Sequence, residues 1–456
     1  MTILYIIAAL IVLIWGAIFV MRASLVGGCL AFVVAASCLG YHFLSFDLGA
    51  IPLTVDRLML GALLAIFLVH WRRGTTDPKP LKYVDIMLGM FIALLTISTL
   101  MNLDTGAMPG LARPWARLLG AYVIPAVVYF IARQAPMNRR NVSLVQGVLV
   151  GLGAYLAITG LMEVHGQWWA VFPKHITNPE VGIHFGRARG PMVQSVSYGF
   201  FVGVCLLATL AWQWRFDRRG RLALAVLLPI MAAGVFFSYT RSVWMGTALG
   251  LLIVLALTLR GSWRPLVLGS MISAGLLLAV TKMDDIVGFS RGQSSTHARA
   301  SVDLRETFAY LSWQMFLDRP MLGAGFDQFR NAKLPYLADR STDINLETVR
   351  LWAHHNTLLS LLTETGLIGL LLFMGVLGGW GWAAWNIARD HTMPDWARSQ
   401  GILLLGVLGV YICQAAFHEL SYAPIDNSLV FCLAGLTVGL RGQADEKKSR
   451  ADLRSR

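Results

Sequence analysis

Residues 352–380 read WAHHNTLLSLLTETGLIGLLLFMGVLGGW, a polar opening that passes into a long apolar run. From Thr357 to Trp380 the run carries a single charged residue, Glu364. A helix rises 1.5 Å per residue, so about 20 apolar residues cross a hydrocarbon core of about 30 Å. The stretch therefore predicts a membrane-spanning helix with two histidines, His354 and His355, at its mouth.

Apolar runs of this length recur along the whole chain. The residues are 56% hydrophobic and 14% charged, with a mean hydropathy of +0.61, which is typical of proteins with many membrane spans. Spans are predicted near 3–20, 24–43, 54–70, 83–102, 115–134, 142–163, 192–214, 221–238, 241–260, 263–281, 354–386, 398–417 and 425–440. The sequence thus predicts an all-α polytopic helix bundle of twelve or thirteen spans, the number depending on whether both the first and the last segment cross the membrane.

Charged residues between the spans predict the orientation. Short basic segments at 72–82, 133–140, 215–221 and 260–264, and the basic tail at 442–456, are predicted to be cytoplasmic by the positive-inside rule. The loop at 282–353 holds nine Lys/Arg and nine Asp/Glu, so it is predicted to face outward. A membrane domain over 1–441 then has its N-terminus outside. Because the net charge of +13 lies in these loops, it indicates orientation and no nucleic-acid partner.

Four arginines on the predicted outer side need a reason other than topology. They are Arg187, Arg189, Arg241 and Arg305. A guanidinium is a planar fork that binds phosphate oxygens through two parallel hydrogen bonds, so converging arginines favour a phosphate site. Each of two arginines has an alternative role that stays open. Arg241 could extend toward lipid headgroups, and Arg305 could be solvated on a helix that lies on the membrane surface.

The outer loop itself contains a predicted amphipathic helix from Arg305 to Pro320. Phe308, Leu311 and Met315 recur at helical spacing, as does Phe316, and proline ends the helix. A glycine-rich turn follows at 322–326. The turn lacks the GxxxxGK[ST] pattern and a preceding strand, so it does not predict a phosphate-binding loop.

The histidine pair is the candidate for proton transfer, because imidazole has an unperturbed pKa of about 6.5. Asn356 either orients a substrate or caps the following helix, and capping is the commoner role. Glu364 lies two and a half turns after His355, faces the membrane interior, and so needs a partner or a packing role. No metal-ligand spacing occurs, and the five cysteines all lie in apolar runs as small hydrophobic residues.

Several of these residues resemble the O-antigen ligase and polymerase superfamily. The motif residues are His355, Asn356, Leu359, Leu362, Glu364, Gly366 and Gly369. Upstream, the arrangement of Arg305 before Pro320 and the Leu322-Gly323-x-Gly325 turn resembles the loop of that family. The segment Thr240-Arg241-Ser242-x-Trp244-x-Gly246 is similar to a turn of the family, and Arg189-Gly190-Pro191 before a span resembles another of its elements. The family usually has Trp four residues after the loop arginine, where this chain has Ala309. The resemblance covers roughly 185–380.

The resemblance implies a metal-independent glycosyltransferase, without a cofactor, in the bacterial inner membrane. The donor would be a glycan on undecaprenyl pyrophosphate, and the acceptor a glycan or a lipid-linked sugar among membrane lipids. His355 would be the base, and Arg189, Arg241 and Arg305 would bind the pyrophosphate, supported by Arg187, His354, Asn356 and Glu364. An O-antigen or exopolysaccharide polymerase would use the same residues as a ligase, so both readings stay open.

Two other classes fit less well. A transporter would need paired charges within the spans and repeated halves, and neither is evident in the sequence. A structural membrane protein would leave four outer arginines beside a histidine without a role. The sequence therefore favours an enzyme of lipopolysaccharide or surface-polysaccharide biosynthesis.

Overall fold

The computed structural model describes residues 16, 18–47, 52–76, 78–102, 113–259, 261–281 and 295–454. Over these ranges the protein is an all-α polytopic bundle, as the sequence predicts. In the same ranges, β structure is confined to one hairpin, in which β1 (Ser45–Asp47) pairs antiparallel with β2 (Pro52–Thr54).

Most of the helices are joined by short connections, and longer ones lie at 165–194 and 333–356. In chain order they are α1 (Leu25–Cys38), α2 (Val55–Arg72), α3 (Tyr83–Met101), α4 (Pro114–Gln134), α5 (Arg139–Val164), α6 (Ser195–Ala211), α7 (Arg218–Phe237), α8 (Arg241–Thr258), α9 (Trp263–Thr281), α10 (Ser295–Asp318), α11 (Phe329–Ala332), α12 (Thr357–Arg389), α13 (Asp395–Phe417) and α14 (Pro424–Arg454). Within α4, residues Leu119–Val123 form a π-helical turn. Short 3₁₀ segments connect the helices near the candidate site, at Leu334–Ala338, Leu346–Val349 and Leu420–Tyr422.

Each predicted span from residue 24 onward coincides with one of these helices. Seven described helices are long and apolar enough to cross a membrane: α3, α4, α5, α7, α8, α12 and α13. The apolar helices α1 and α6 have only 14 and 17 residues, too short to cross a core of about 30 Å upright. The predicted span at 3–20 lies almost wholly outside the described residues.

Small residues allow the helices to approach closely. A Cβ atom added to Gly435 or Gly439 of α14 would lie 2.4 Å from a carbonyl oxygen of α4, that of Tyr129 or Arg133. Lipid tails give helices no hydrophobic reason to associate, so close van der Waals packing of this kind stabilises membrane bundles. The cysteines pack as predicted: four are buried, and Cys413 is half-buried.

Helix α12 is interrupted at Gly366, whose φ of 66° is a left-handed conformation that favours glycine. The interruption frees backbone groups that pair with the outer loop. The amide of Leu367 donates to the carbonyl of Pro320 at 2.8 Å, and the amides of Ala324 and Gly325 donate to carbonyls of α12 at 2.8 and 2.9 Å. The predicted glycine turn is therefore bonded directly to a membrane helix.

The outer loop has a small hydrophobic core of its own. It consists of Phe308, Leu311, Met315, Phe329, Leu337, Leu346 and Val349. The predicted loop helix is present, but it begins at Ser295, ten residues before the predicted start at Arg305. Phe308, Leu311 and Met315 are buried as their spacing predicts, whereas Ala309 is exposed, so its small side chain leaves no gap in this core. The described part of the loop is a folded unit.

Candidate active site

His355 lies just before α12, with its side chain exposed. The ring contacts the edge of Phe308, with centroids 5.5 Å apart, and lies 5.8 Å from the ring of Trp352. No hydrogen bond to the imidazole occurs among the described residues. Partial burial, followed by the positive charges of Arg305 and Arg330, lowers the pKa of His355. The imidazole is therefore neutral at neutral pH, the form that can accept a proton.

His354, in contrast, is buried in the core of the loop. Its Nε2 atom lies 2.8 Å from Oγ of Ser312 on α10, and its ring packs against Phe308 and Phe329. Burial lowers the pKa of His354 to about 3, with a smaller contribution from the charge of His355. His354 thus joins the loop helix to the segment that carries His355.

Lys333 holds the residues that lead into the histidine pair. Its buried ammonium donates to the carbonyl of Val349 at 2.6 Å and to that of Trp352. Burial and the nearby charge of Arg330 lower the pKa of Lys333 to about 8. At pH 7 the side chain is still mostly charged, so it fixes the path of the chain into His354 and His355.

Asn356 caps α12, which is the commoner of its two predicted roles. Its Oδ1 atom accepts from the amide of Leu359 at 3.0 Å, and its Nδ2 atom donates to the carbonyl of Ala416 at 2.8 Å. The next residue, Thr357, donates through its amide and hydroxyl to the carbonyl of His418, at 3.2 and 2.8 Å. The start of α12 is therefore fixed to the end of α13.

His418 belongs to the site, although the sequence did not point to it. Its Nε2 atom lies 2.7 Å from Oγ of Ser242, in the first turn of α8. Burial, followed by the charges of His355 and Arg305, lowers the pKa of His418 to about 3. A lone histidine after an apolar run carries no sequence pattern, so only the fold reveals this neighbour.

Three arginines lie near these histidines. The guanidinium of Arg305 lies over the ring of Phe417, with 5.2 Å from Cζ to the centroid. Arg241 is half-buried and begins α8, directly before Ser242. Arg330 on α11 is half-buried, and among the described residues its Nε atom has no hydrogen-bond partner. The sequence did not single out Arg330. The name mouth cluster is used below for five residues: Arg241, Arg305, Arg330, His355 and His418.

Arg189 has no exposed surface. Its Nε atom pairs with Oε1 of Glu163 at 3.0 Å, and its two terminal nitrogens donate to the carbonyls of Val181 and Ile176. Arg187 is half-buried and donates to the carbonyl of Tyr239 at 3.3 Å. In this conformation Arg189 cannot contact a substrate, and both arginines tie the 176–190 segment to the bundle.

Glu364 belongs to a buried ionic network beneath the mouth cluster. Its carboxylate accepts from the amide of Asp327 at 2.9 Å. Arg117, another residue without a sequence pattern, pairs with Asp327, donates to Ser421 at 2.7 Å, and lies 3.9 Å from the ring centroid of Tyr422. The network joins α4, the glycine turn and the α13–α14 connection. Glu364 therefore helps to hold these segments together next to the site.

The structure thus brings Arg305 close to His355 and places Arg241 directly before Ser242, the partner of His418, with His354, Asn356 and Glu364 in supporting contacts. Arg189 is paired with Glu163, and Arg187 bonds to the carbonyl of Tyr239, two residues before Arg241. In the described part of the chain no group of three His, Cys, Asp or Glu residues is arranged to hold a metal ion. What the cluster offers is a neutral imidazole beside several fixed positive charges. Such an arrangement can accept a proton while it stabilises a nearby anion.

The chain was also compared with known families. The family described as O-antigen ligase matches residues 226–374. This segment is similar to the O-antigen ligase family. The resemblance inferred from the residues is therefore confirmed over it, and the matched part contains Arg241, Arg305, His355 and Glu364. The family consists of glycosyltransferase-like ligases and polymerases, and the chain is a multi-pass membrane protein. No curated protein matches the chain.

Proposed function

We propose that this O-antigen ligase homologue transfers a glycan from undecaprenyl pyrophosphate to an acceptor sugar at the outer face of the inner membrane. The observation that carries the proposal is the neutral, exposed imidazole of His355 beside Arg305 and Arg330. A base and an anion-binding group are what this reaction needs, since it removes a proton from a hydroxyl and releases a pyrophosphate.

The reaction would proceed in one balanced displacement. The acceptor hydroxyl attacks the anomeric carbon of the donor glycan, and a new carbon–oxygen bond forms there. The bond from that carbon to the pyrophosphate oxygen breaks, and the leaving group keeps the electron pair. His355 takes the hydroxyl proton, while Arg241, Arg305 and Arg330 stabilise the charge that develops on the pyrophosphate. Arginines in this role supply the charge that a metal ion supplies in other transferases, so we propose a metal-independent reaction.

Arg189 is left out of the phosphate-binding set, because its donors are engaged within the fold. The exposed ring of Trp352, next to His355, offers a flat apolar surface on which an acceptor sugar can pack. Ligase and polymerase differ in the acceptor, which is lipid A core for the first and a second carrier-linked glycan for the second. We favour the ligase, and the alternative is a polymerase of the same superfamily.

The test is transfer in vitro from a synthetic carrier-linked glycan, with EDTA present. His355→Ala should lower the rate by about 10²–10⁴-fold, the usual effect of removing a general base. The matched control is His391→Ala, an exposed histidine at the other end of α12, which should retain full activity. Both variants must elute as single species in detergent. Unchanged transfer in His355→Ala would refute the base, and loss of wild-type transfer in EDTA would refute metal independence.

The proposed orientation has its own test. Asn345 and Arg218 are both exposed, one in the outer loop and one at the start of α7. In cells with a permeable outer membrane, Asn345→Cys should react with a membrane-impermeant thiol reagent, and Arg218→Cys should react only after the inner membrane is opened. The opposite pattern would place the mouth cluster in the cytoplasm and exclude a carrier on the outer leaflet.

A further inference from the structure

The C-terminal half of α10 and the turn after it expose large apolar side chains. Trp313, Leu317, Met321 and Leu322 are each more than half exposed. The same exposed face of α10 begins with Glu306 and the small residue Ala309. The face therefore changes from polar to apolar toward Pro320. In water, a contiguous apolar surface of this kind marks a binding surface rather than ordinary exposure.

The interruption of α12 fixes the level of this apolar surface. From Leu367 to Arg389, α12 has 23 residues, the same number as α13, and residues 390–394 connect the two helices. Each measures about 34 Å, slightly more than a hydrocarbon core of about 30 Å. Leu367 therefore lies near the level of Phe417, at the boundary of the membrane on the side of the mouth cluster.

Backbone hydrogen bonds hold the turn after α10 at that boundary. The amide of Leu367 donates to the carbonyl of Pro320 at 2.8 Å, and that of Ile368 donates to the carbonyl of Met321 at 3.4 Å. Below them on α12, the exposed apolar surface continues with Leu367 and Leu371, which are 39% and 59% exposed. The apolar face of the loop is thus continuous with the lipid-facing surface of a membrane span.

We propose that the apolar surface formed by Trp313 and Leu317 on α10 and by Met321 and Leu322 in the turn after it inserts into the membrane leaflet on the side of the mouth cluster. The partner of this apolar surface is bilayer lipid, because the surface is continuous with the exposed apolar surface of α12 and has a tryptophan at its polar edge. Tryptophan is enriched at membrane boundaries, and amphipathic helices bury an apolar face about 5–10 Å into the headgroup region. The loop is therefore a membrane-bound part of the enzyme.

The consequence for catalysis rests on the proposed function. Arg305 is eight residues before Trp313, so it lies no more than about 12 Å from it along the helix axis. Insertion of the apolar end then fixes the height of the Arg305 guanidinium above the lipid tails. At that height it meets a carrier pyrophosphate that lies in the headgroup layer, and the enzyme need not lift the lipid from the membrane.

The test measures membrane contact without requiring activity. Spin labels are attached to Leu317→Cys and Met321→Cys in lipid nanodiscs, with Glu306→Cys and Ala309→Cys on the same helix as controls. Four native cysteines are buried and Cys413 is half-buried, so the signal of the parent protein is subtracted. Labels at 317 and 321 should collide preferentially with apolar oxygen, and labels at 306 and 309 with a water-soluble nickel chelate.

Two results would overturn the proposal. If the labels at 317 and 321 prefer the nickel chelate, the face is in water. If both reagents are excluded from them, the face is covered by protein, by a second copy of the chain or by a bound prenyl tail, rather than by bilayer lipid.

A transfer assay then tests whether insertion of this surface matters for binding of the carrier-linked donor. Trp313→Gln with Leu317→Gln should raise the KM for the carrier-linked donor at least fivefold and leave kcat within twofold, whereas Ala309→Gln should change neither. An unchanged KM would refute the role in donor binding. If the wild-type protein shows no transfer at all, the proposed function fails, but the spin-label result still decides whether the face is in lipid.

Discussion

The Nε2 atom of His418 lies 2.7 Å from the Oγ atom of Ser242, although 176 residues separate them in the sequence. The carbonyl of His418 also accepts from the amide and hydroxyl of Thr357, which follows the histidine pair by two positions. One residue therefore connects the start of α8, where Arg241 lies, to the start of α12, where His355 lies. His418 sets the distance between the proposed base and a proposed phosphate-binding residue.

His418→Ala and Ser242→Ala should therefore impair transfer to a similar extent. A single hydrogen bond contributes about 1 kcal/mol, so each change should lower kcat/KM roughly fivefold to tenfold. The two changes together should cost little more than either one, because both remove the same bond. Steady-state transfer assays of the double-mutant cycle measure this, with Thr258→Val at the other end of α8 as the control. Additive losses would mean that the bond does not couple the two residues.

Arg305 and Arg241 should require the guanidinium and not only its charge. Arg305→Ala is expected to lower transfer by about 10²–10³-fold, the usual effect of removing one group that stabilises a developing anion. Lysine at either position should restore only part of the activity, since a point charge cannot form two parallel hydrogen bonds. Arg330→Ala should also lower transfer, because its Nε atom has no partner among the described residues. Full activity of both lysine variants would exclude bidentate phosphate binding.

Arg189 should prove to be a folding residue. Arg189→Ala leaves the carboxylate of Glu163 buried without its partner, and breaking a buried ion pair in this way costs about 3–5 kcal/mol. Thermal unfolding in detergent should show a large loss of stability, and Glu163→Gln added to Arg189→Ala should recover part of it, because glutamine removes the unpaired charge and still accepts from the amides of Arg189 and Gly190. Arg187→Ala, a half-buried neighbour, should unfold like the wild type. A stable Arg189→Ala protein with impaired transfer would instead return Arg189 to the substrate site.

Acid should destabilise the outer loop through His354. Its pKa is about 3 in the folded protein and about 6.5 in the unfolded chain. Below pH 6.5 the unfolded chain binds a proton that the folded one does not, so the stabilisation is complete above pH 6.5 and declines toward pH 3. The rate of proteolysis within 305–350 should therefore rise as the pH falls from 6.5 to 5. His354→Gln, which does not titrate, should weaken that dependence, while His391→Gln should not.

The sequence predicts well what depends on hydrophobic length and local pattern. Each described span, the loop helix and the glycine turn follow from apolar runs, helical spacing and residues that end helices. Capping by Asn356 is likewise a local rule, since it concerns an amide three residues away. These features require no knowledge of which helices are neighbours.

The parts of the site that join distant segments could not be predicted in this way. His418, Arg330 and Arg117 are single residues without a motif, and only packing shows that they lie near His355 or beneath it. Arg189 illustrates the opposite case, since its local sequence favoured a phosphate contact. Its carboxylate partner, Glu163, is 26 residues earlier and lies within an apolar span, where the sequence gives no sign of the pairing.

The hydrogen bonds at Gly366 also limit how the enzyme can receive its substrates. Three amides, of Leu367, Ala324 and Gly325, link the glycine turn to the interrupted helix, so the turn cannot swing away unless α12 moves with it. This turn is consequently a fixed point of the outer loop and not a hinge. If the proposed function holds, a lipid-borne substrate would enter sideways from the bilayer, and its glycan chain would extend outward past this fixed turn.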